Sequence, residues 1–184
     1  MNETETNGTR QNGTQEDEVR GHGTADGNEI DVAVEDPRWE EVAPDLDGFV
    51  ARAVEAALAI VPPEGPIEIS IVLTDDAAVQ ELNRTWRGKD KPTNVLSFPN
   101  EQPHGGGLRL LGDVVLAYDT LLRESGEQSK PLGHHLAHLV VHGTLHLLGH
   151  DHELGDAEAD AMEALEVAAL RRLGVPDPYG DAAA

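Results

Sequence analysis

A short histidine-rich segment near the end of the chain has residue types and spacing that bind a transition-metal ion. It reads His142-Gly-Thr-Leu-His146-Leu-Leu-Gly149-His-Asp-His152. Residues four apart lie on one face of a helix, so His142 and His146 direct two imidazoles at one point. Gly149 allows the chain to turn back and bring a third imidazole to the same ion. Three protein ligands leave a coordination position for water, which is typical of catalytic zinc.

The third ligand is a choice between His152 and His150, because both follow the turn. The x-x-Gly-x-x-His spacing of known sites favours His152. His138 lies on the same helix face as His146, but about 12 Å away along the axis, too far for both to bind one small ion. We therefore predict a site of His142, His146 and His152, with His138 in a supporting or core position. The chain has no cysteine, so thiolate ligands are excluded.

The same spacing occurs in the metzincin protease motif, His-Glu-x-x-His-x-x-Gly-x-x-His. Here Gly143 occupies the position of the glutamate that serves as general base in those proteases. This difference argues against peptide hydrolysis, although a metallopeptidase-like hydrolase remains an alternative.

Hydrophobic periodicity predicts the elements that position this segment. A stripe of Met162, Leu165, Ala169 and Leu173 is typical of helical core packing. We expect a single α+β domain with a mixed sheet of about four strands and helices packed on it, and a metal site on a helix of the C-terminal half and the turn after it. The predicted strands are 30–34, which resembles an edge strand, 67–73, 95–98 and 108–117. The predicted helices are 46–61, one that is capped within 74–76 and runs to about residue 86, 132–148, and one that begins at Asp156 and ends within 171–174.

Composition sets the boundaries of that domain and the character of its surface. Residues 1–28 contain almost no large apolar side chains and predict a disordered acidic tail, which leaves 29–180 as the folded domain.

The net charge of −22 arises from 35 acidic and 13 basic residues. Such a surface normally repels nucleic acid. An alternative explanation of the acidity is adaptation to a salty cytoplasm, where salt screens the repulsion between the acidic residues. No segment has the pattern of a membrane span or a signal peptide, so we expect a cytoplasmic protein without membrane contacts.

Three segments together resemble the family of bacterial YbeY endoribonucleases. The first is the histidine segment 142–152, in which the family usually has an aromatic residue where His150 stands. The second runs from Leu82 to Pro99 and contains Trp86-Arg87-Gly-Lys-Asp-Lys-Pro-Thr-Asn-Val-Leu-Ser-Phe. The third is Leu-Gly-Asp-Val at 111–114. The resemblance extends from about residue 30 to Tyr179.

The resemblance implies one zinc ion per chain on His142, His146 and His152, and a functional arginine at Arg87. It also implies cleavage of single-stranded ribosomal RNA, notably near the 3′ end of the small-subunit RNA, with the ribosomal small subunit as partner. In a consistent mechanism the ion lowers the pKa of bound water, and Arg87 clamps the phosphate. No residue of the motif is an obvious general base, so either metal-bound hydroxide does this work or a nearby group such as Asp151 assists.

A local excess of positive charge supports a phosphate substrate. Arg84, Arg87, Lys89 and Lys91 cluster in a chain that is otherwise short of basic residues. Besides the peptidase, a second alternative is a ribosome-assembly protein in which the metal is only structural.

Overall fold

The computed structural model describes residues 19–100, 107–152 and 155–180. In that part of the chain it has five strands and five α-helices, with a short 3₁₀ helix at Pro37–Glu41. The strands are β1 (Val19–Gly23), β2 (Glu29–Val34), β3 (Ile67–Thr74), β4 (Val95–Pro99) and β5 (Arg109–Ala117), and the helices are α1 (Leu46–Ile60), α2 (Asp76–Arg87), α3 (Tyr118–Glu127), α4 (Leu132–Leu147) and α5 (Asp156–Arg172).

The strands form one mixed sheet in the order β1-β2-β3-β5-β4. The three central strands, β2, β3 and β5, are parallel, while β1 and β4 run antiparallel to their neighbours at the two edges. This architecture confirms the predicted α+β fold with helices on a mixed sheet. The sheet has one strand more than the approximate number predicted.

The additional strand is β1, which lies in the segment predicted to be tail. It pairs with β2 through a tight turn in which the Gly27 N–H donates to the Thr24 carbonyl. The prediction of β2 as an edge strand is therefore wrong, since β1 covers its outer side. The pairing is made by hydrogen bonds between backbone groups, which every residue type except proline can form. The side-chain sequence of β1 therefore gave little indication of a strand. The rest of the predicted tail, residues 1–18, lies outside the described residues.

Helix α3 was not predicted from the sequence. No side chain caps its N-terminus, which begins directly after β5 at Ala117. The usual start signal of a Ser, Thr, Asp or Asn cap is therefore absent. Its buried face includes polar residues, Thr120 and Ser125, beside Leu121, so the apolar periodicity is weak.

The main core lies between one face of the sheet and helices α1, α4 and α5. Ile69 and Ile71 of β3 point into it and are fully buried. Met162 and Ala169 of α5 are also buried, with Leu165 and Leu173 packed against the same core, so the predicted stripe is confirmed. On the opposite face, α2 covers a smaller cluster. Among the described residues, no helix combines the length and hydropathy that crossing a bilayer requires.

Gly143 allows α4 to pack closely against β5. A Cβ atom at this position would lie 2.5 Å from Val114 Cγ1 and 3.2 Å from Ser97 Oγ. Val114 is fully buried, so it has little room to move away. The Ser97 hydroxyl donates to the Gly143 carbonyl at 3.3 Å, which connects α4 to β4 as well. The position of the metzincin glutamate is therefore packed against the sheet in this protein.

We predict that Gly143→Ala lowers the free energy of unfolding by about 1–2 kcal/mol, because overpacking outweighs the roughly 1 kcal/mol that alanine gains in helix propensity. The matched control is Gly133→Ala in the same helix, where the new Cβ would meet Phe49 Cζ at an ordinary 3.8 Å. That variant should be as stable as the parent or slightly more stable. Urea denaturation at equal metal content measures both changes, and an unaffected Gly143→Ala would contradict the close packing.

Candidate metal centre

Three histidines converge at the end of α4. His142 and His146 come from its last turns, and His152 from the segment after it, with ligand atoms that all lie within 4.8 Å of one another. The Nε2 atoms of His142 and His146 are 3.1 Å apart. Two nitrogens bound to one tetrahedral zinc at roughly 2.0–2.1 Å would be about 3.3 Å apart. The spacing of the two nitrogens is thus close to that of a shared ion.

A hydrogen-bonded turn returns the chain to this point after α4. Gly149 has φ +95°, a conformation that favours glycine. The Gly149 N–H donates to the His146 carbonyl and the His150 N–H to the Leu145 carbonyl, each at 3.0 Å. This pair of bonds is the Schellman motif that ends many helices. It fixes the start of the segment that carries His152.

Glu166 of α5 holds the first histidine in place. Its Oε1 accepts a hydrogen bond from His142 Nδ1 at 2.6 Å, and its Oε2 contacts His138 Nε2 at 2.9 Å and the Tyr179 hydroxyl. The Glu166 side chain is only 1% exposed. Because the carboxylate accepts, the proton of His142 resides on Nδ1, and the lone pair of Nε2 points to the shared site.

The protonation states of these groups suit metal binding. Burial alone would raise the pKa of Glu166, but hydrogen bonds from His138, His142 and Tyr179 outweigh it and lower that pKa to about 2. Burial lowers the pKa of His146 to about 4, and the charges of His142 and His152 act in the same direction. At neutral pH the carboxylate is therefore ionised and the His146 imidazole neutral, which is the form that binds metals.

The donor set fits zinc chemically, because it offers three imidazoles, one with a carboxylate partner on its second nitrogen. His150 lines the same cleft but does not belong to the converging group. His138 also lies outside that group and instead bonds to the second oxygen of Glu166.

The three histidines open into a cleft of about 1000 Å³ between α4, the end of α2 and the segment before β4. Arg87 lies at the end of α2 and lines this cleft. Asp151 lines it too. The basic side chains at the cleft are Arg87, Lys89, Lys91 and Lys130, which include all three lysines of the chain.

Two residues of the site were missed in the sequence. Glu166 is four residues after Met162 and shares the buried side of α5, so a carboxylate within an apolar stripe was the available signal. Tyr179 follows α5 in a segment without periodicity, which gave no comparable signal. Its hydroxyl reaches Glu166 from outside the helix.

A second polar group lines the cleft farther from the three histidines. Glu124 Oε2 contacts His135 Nε2 at 2.8 Å and accepts from Asn94 Nδ2 at 2.9 Å. His135 is 4% exposed, and burial lowers its pKa despite the carboxylate beside it. These contacts connect α3 and α4 to the start of β4.

Comparison with known proteins gives one consistent family. The family model described as endoribonuclease YbeY matches residues 33–174. A protein of Bradyrhizobium sp. named endoribonuclease YbeY is 54% identical over 149 residues, which cover 78% of this chain and 87% of that protein. One of the same name from Paramagnetospirillum magneticum is 51% identical over 159 residues, covering 83% and 96%.

The fold also resembles a solved structure. The solution structure of TM1509 from Thermotoga maritima aligns with a TM-score of 0.50 at 21% sequence identity. The alignment covers 84% of this chain and 99% of that one. At this identity, the likeness shows a shared fold.

We predict that Glu166→Gln weakens zinc binding by about 10- to 100-fold, because His142 loses its charged hydrogen-bond partner. The matched control is Glu163→Gln, which changes an exposed glutamate of the same helix and should bind zinc like the parent. Competition with a chromophoric chelator measures both affinities, and circular dichroism checks that both variants fold. Equal affinity in the two variants would exclude Glu166 as the group that orients His142.

Proposed function

Because the chain belongs to the endoribonuclease YbeY family, we propose that it is a metal-dependent endoribonuclease that cuts single-stranded ribosomal RNA. The observation that carries the proposal is the cleft itself, where Arg87 and all three lysines face a group of three converging histidines. Phosphodiester hydrolysis needs both parts: positive charge to hold the phosphate, and an activated water to attack it.

The distribution of charge supports a phosphate substrate. The chain has a net charge of −22, so a cleft that gathers every lysine differs from the rest of the molecule. Two other arginines are neutralised locally: Arg38 pairs with Asp36, and Arg84 pairs with Glu81, each at 2.6 Å. Arg87 makes no ion pair with a described residue, which leaves its guanidinium available for phosphoryl oxygens.

One zinc ion per chain, held by His142, His146 and His152, completes the proposed site. When bound, the ion supplies Lewis acidity and lowers the pKa of a water molecule. Glu166 keeps the proton of His142 on Nδ1 and so directs Nε2 to the ion. Arg87 binds the phosphate and stabilises the negative charge that develops on its oxygens.

We assign the activity to maturation of the small-subunit ribosomal RNA near its 3′ end, with the small subunit as partner. Ribosomal RNA as substrate places the enzyme in the cytoplasm. A metallopeptidase is not favoured, because the position of the metzincin base is Gly143, where even a Cβ atom would meet Val114. A purely structural metal is also not favoured, since three ligands leave a position open.

We predict that Arg87→Gln lowers kcat/KM for single-stranded ribosomal RNA by about a hundredfold or more, while zinc content stays unchanged. The loss follows from removing the phosphate clamp without touching a metal ligand. The matched control is Arg123→Gln, an exposed arginine of α3 that faces Glu127. Cleavage of a labelled RNA by both variants gives the comparison.

Retained cleavage by Arg87→Gln in a preparation free of other nucleases would refute the role of this arginine. Turnover of a peptide panel without RNA cleavage by the parent protein would instead contradict the proposed activity itself.

A further inference from the structure

The two tryptophans of the chain have opposite environments. Trp39 is fully buried, and its Nε1 donates to the Thr74 carbonyl at 2.9 Å. Trp86 is 70% exposed and is the most exposed large apolar side chain in the described part of the molecule. Exposed surface of this size on an indole is unfavourable in water and is typical of a binding surface. The exposure of Trp86 therefore marks it as a candidate for contact with a ligand.

Trp86 stands over an apolar groove on the sheet face that α2 covers. Its ring meets Phe98 edge to face, with centroids 6.5 Å apart and an interplanar angle of 67°. Val72, Ala78, Leu82 and Val115 also line this groove of about 780 Å³. Pro99 lines both the groove and the histidine cleft. The cleft and the groove thus adjoin at Pro99, and a chain that leaves the cleft there passes around the end of edge strand β4 to reach Trp86.

The charges differ between the groove and the cleft beside it. On the side of the cleft, Arg87 follows Trp86 in sequence, and Lys89 lies beyond it. The groove itself is lined by the carboxylates of Glu35, Glu81 and Asp113, of which Glu81 is paired with Arg84. A ligand with an anionic backbone and a flat neutral ring fits this asymmetry, since its charge can face the cations while its ring lies against the aromatic side chains. A nucleotide of single-stranded RNA has both features.

We propose that the exposed ring of Trp86, supported edge to face by Phe98, is a stacking platform for a nucleobase of the RNA strand outside the cleft. The platform rests on the proposed function, because the strand it extends is the one whose phosphate is cut at the histidines. It holds a base without reading its identity, since every base offers a flat face. The cut phosphate and the stacked base then fix two points of the strand.

The test uses the zinc-loaded protein and a single-stranded 2′-O-methyl oligouridylate with phosphorothioate linkages, which resist hydrolysis. Binding is followed by tryptophan fluorescence and by anisotropy of a labelled oligonucleotide. We expect Trp86→Ala to weaken binding about tenfold or more. The salt dependence of the affinity should stay that of the parent, because no phosphate contact is removed. Leu122→Ala removes another exposed apolar side chain, 48% exposed and on α3, and should bind like the parent.

Trp86→Phe separates stacking from folding. Its ring still stacks, so affinity should stay within a few-fold of the parent. Its fluorescence should no longer respond to the oligonucleotide, because Trp39 is the remaining indole and is fully buried. Unchanged affinity in Trp86→Ala, or no quenching of the parent by RNA, would overturn the platform.

A peptide is the competing occupant of the groove. The fluorescence of Trp86 distinguishes the two ligands, because it reports which of them binds there. Quenching of Trp86 by an arginine-rich peptide with apolar side chains, but not by the oligonucleotide, would overturn the proposal and assign the groove to a protein. Cleavage of unmodified RNA is followed on the same samples. If the parent cuts RNA and Trp86→Ala binds it normally, the platform alone fails; if the parent cuts none, the proposed function fails.

Discussion

The candidate metal centre depends on the hydrogen bonds that the carboxylate of Glu166 accepts. This carboxylate is nearly fully buried, and an ionised group in that position is stable only because His142, His138 and Tyr179 all contact it. These partners come from α4 and from the segment after α5, so one side chain connects three parts of the chain. The hydrogen bond from His142 Nδ1 sets which nitrogen of this histidine faces the proposed ion. Fold stability and ligand geometry are therefore coupled at this residue.

A second constraint is electrostatic. A protein with a net charge of −22 repels RNA over most of its surface, and the repulsion extends over roughly 8–10 Å at physiological salt. All three lysines and Arg87 lie at one cleft, which favours approach of a phosphate backbone there. Acidity elsewhere then contributes to selectivity.

The parts of this structure that depend on local pattern could be predicted from the sequence. The helical spacing of His142 and His146 and the glycine after them are local, and so are the apolar periods of α1, β3 and α5. Glu166 could not be assigned, because its partner His142 is 24 residues away and no local pattern shows which side chains meet. Strand β1 was missed for a similar reason, since its pairing with β2 depends on backbone hydrogen bonds between segments.

The most direct test of the account is zinc content measured together with RNA cleavage in the parent, His152→Ala and His150→Ala proteins. Both histidines follow the same turn, and only His152 joins the converging group. The account predicts one zinc per chain and active cleavage in the parent and in His150→Ala, with both lost in His152→Ala. Zinc and cleavage that survive in His152→Ala but disappear in His150→Ala, or a parent protein that binds no zinc, would contradict it.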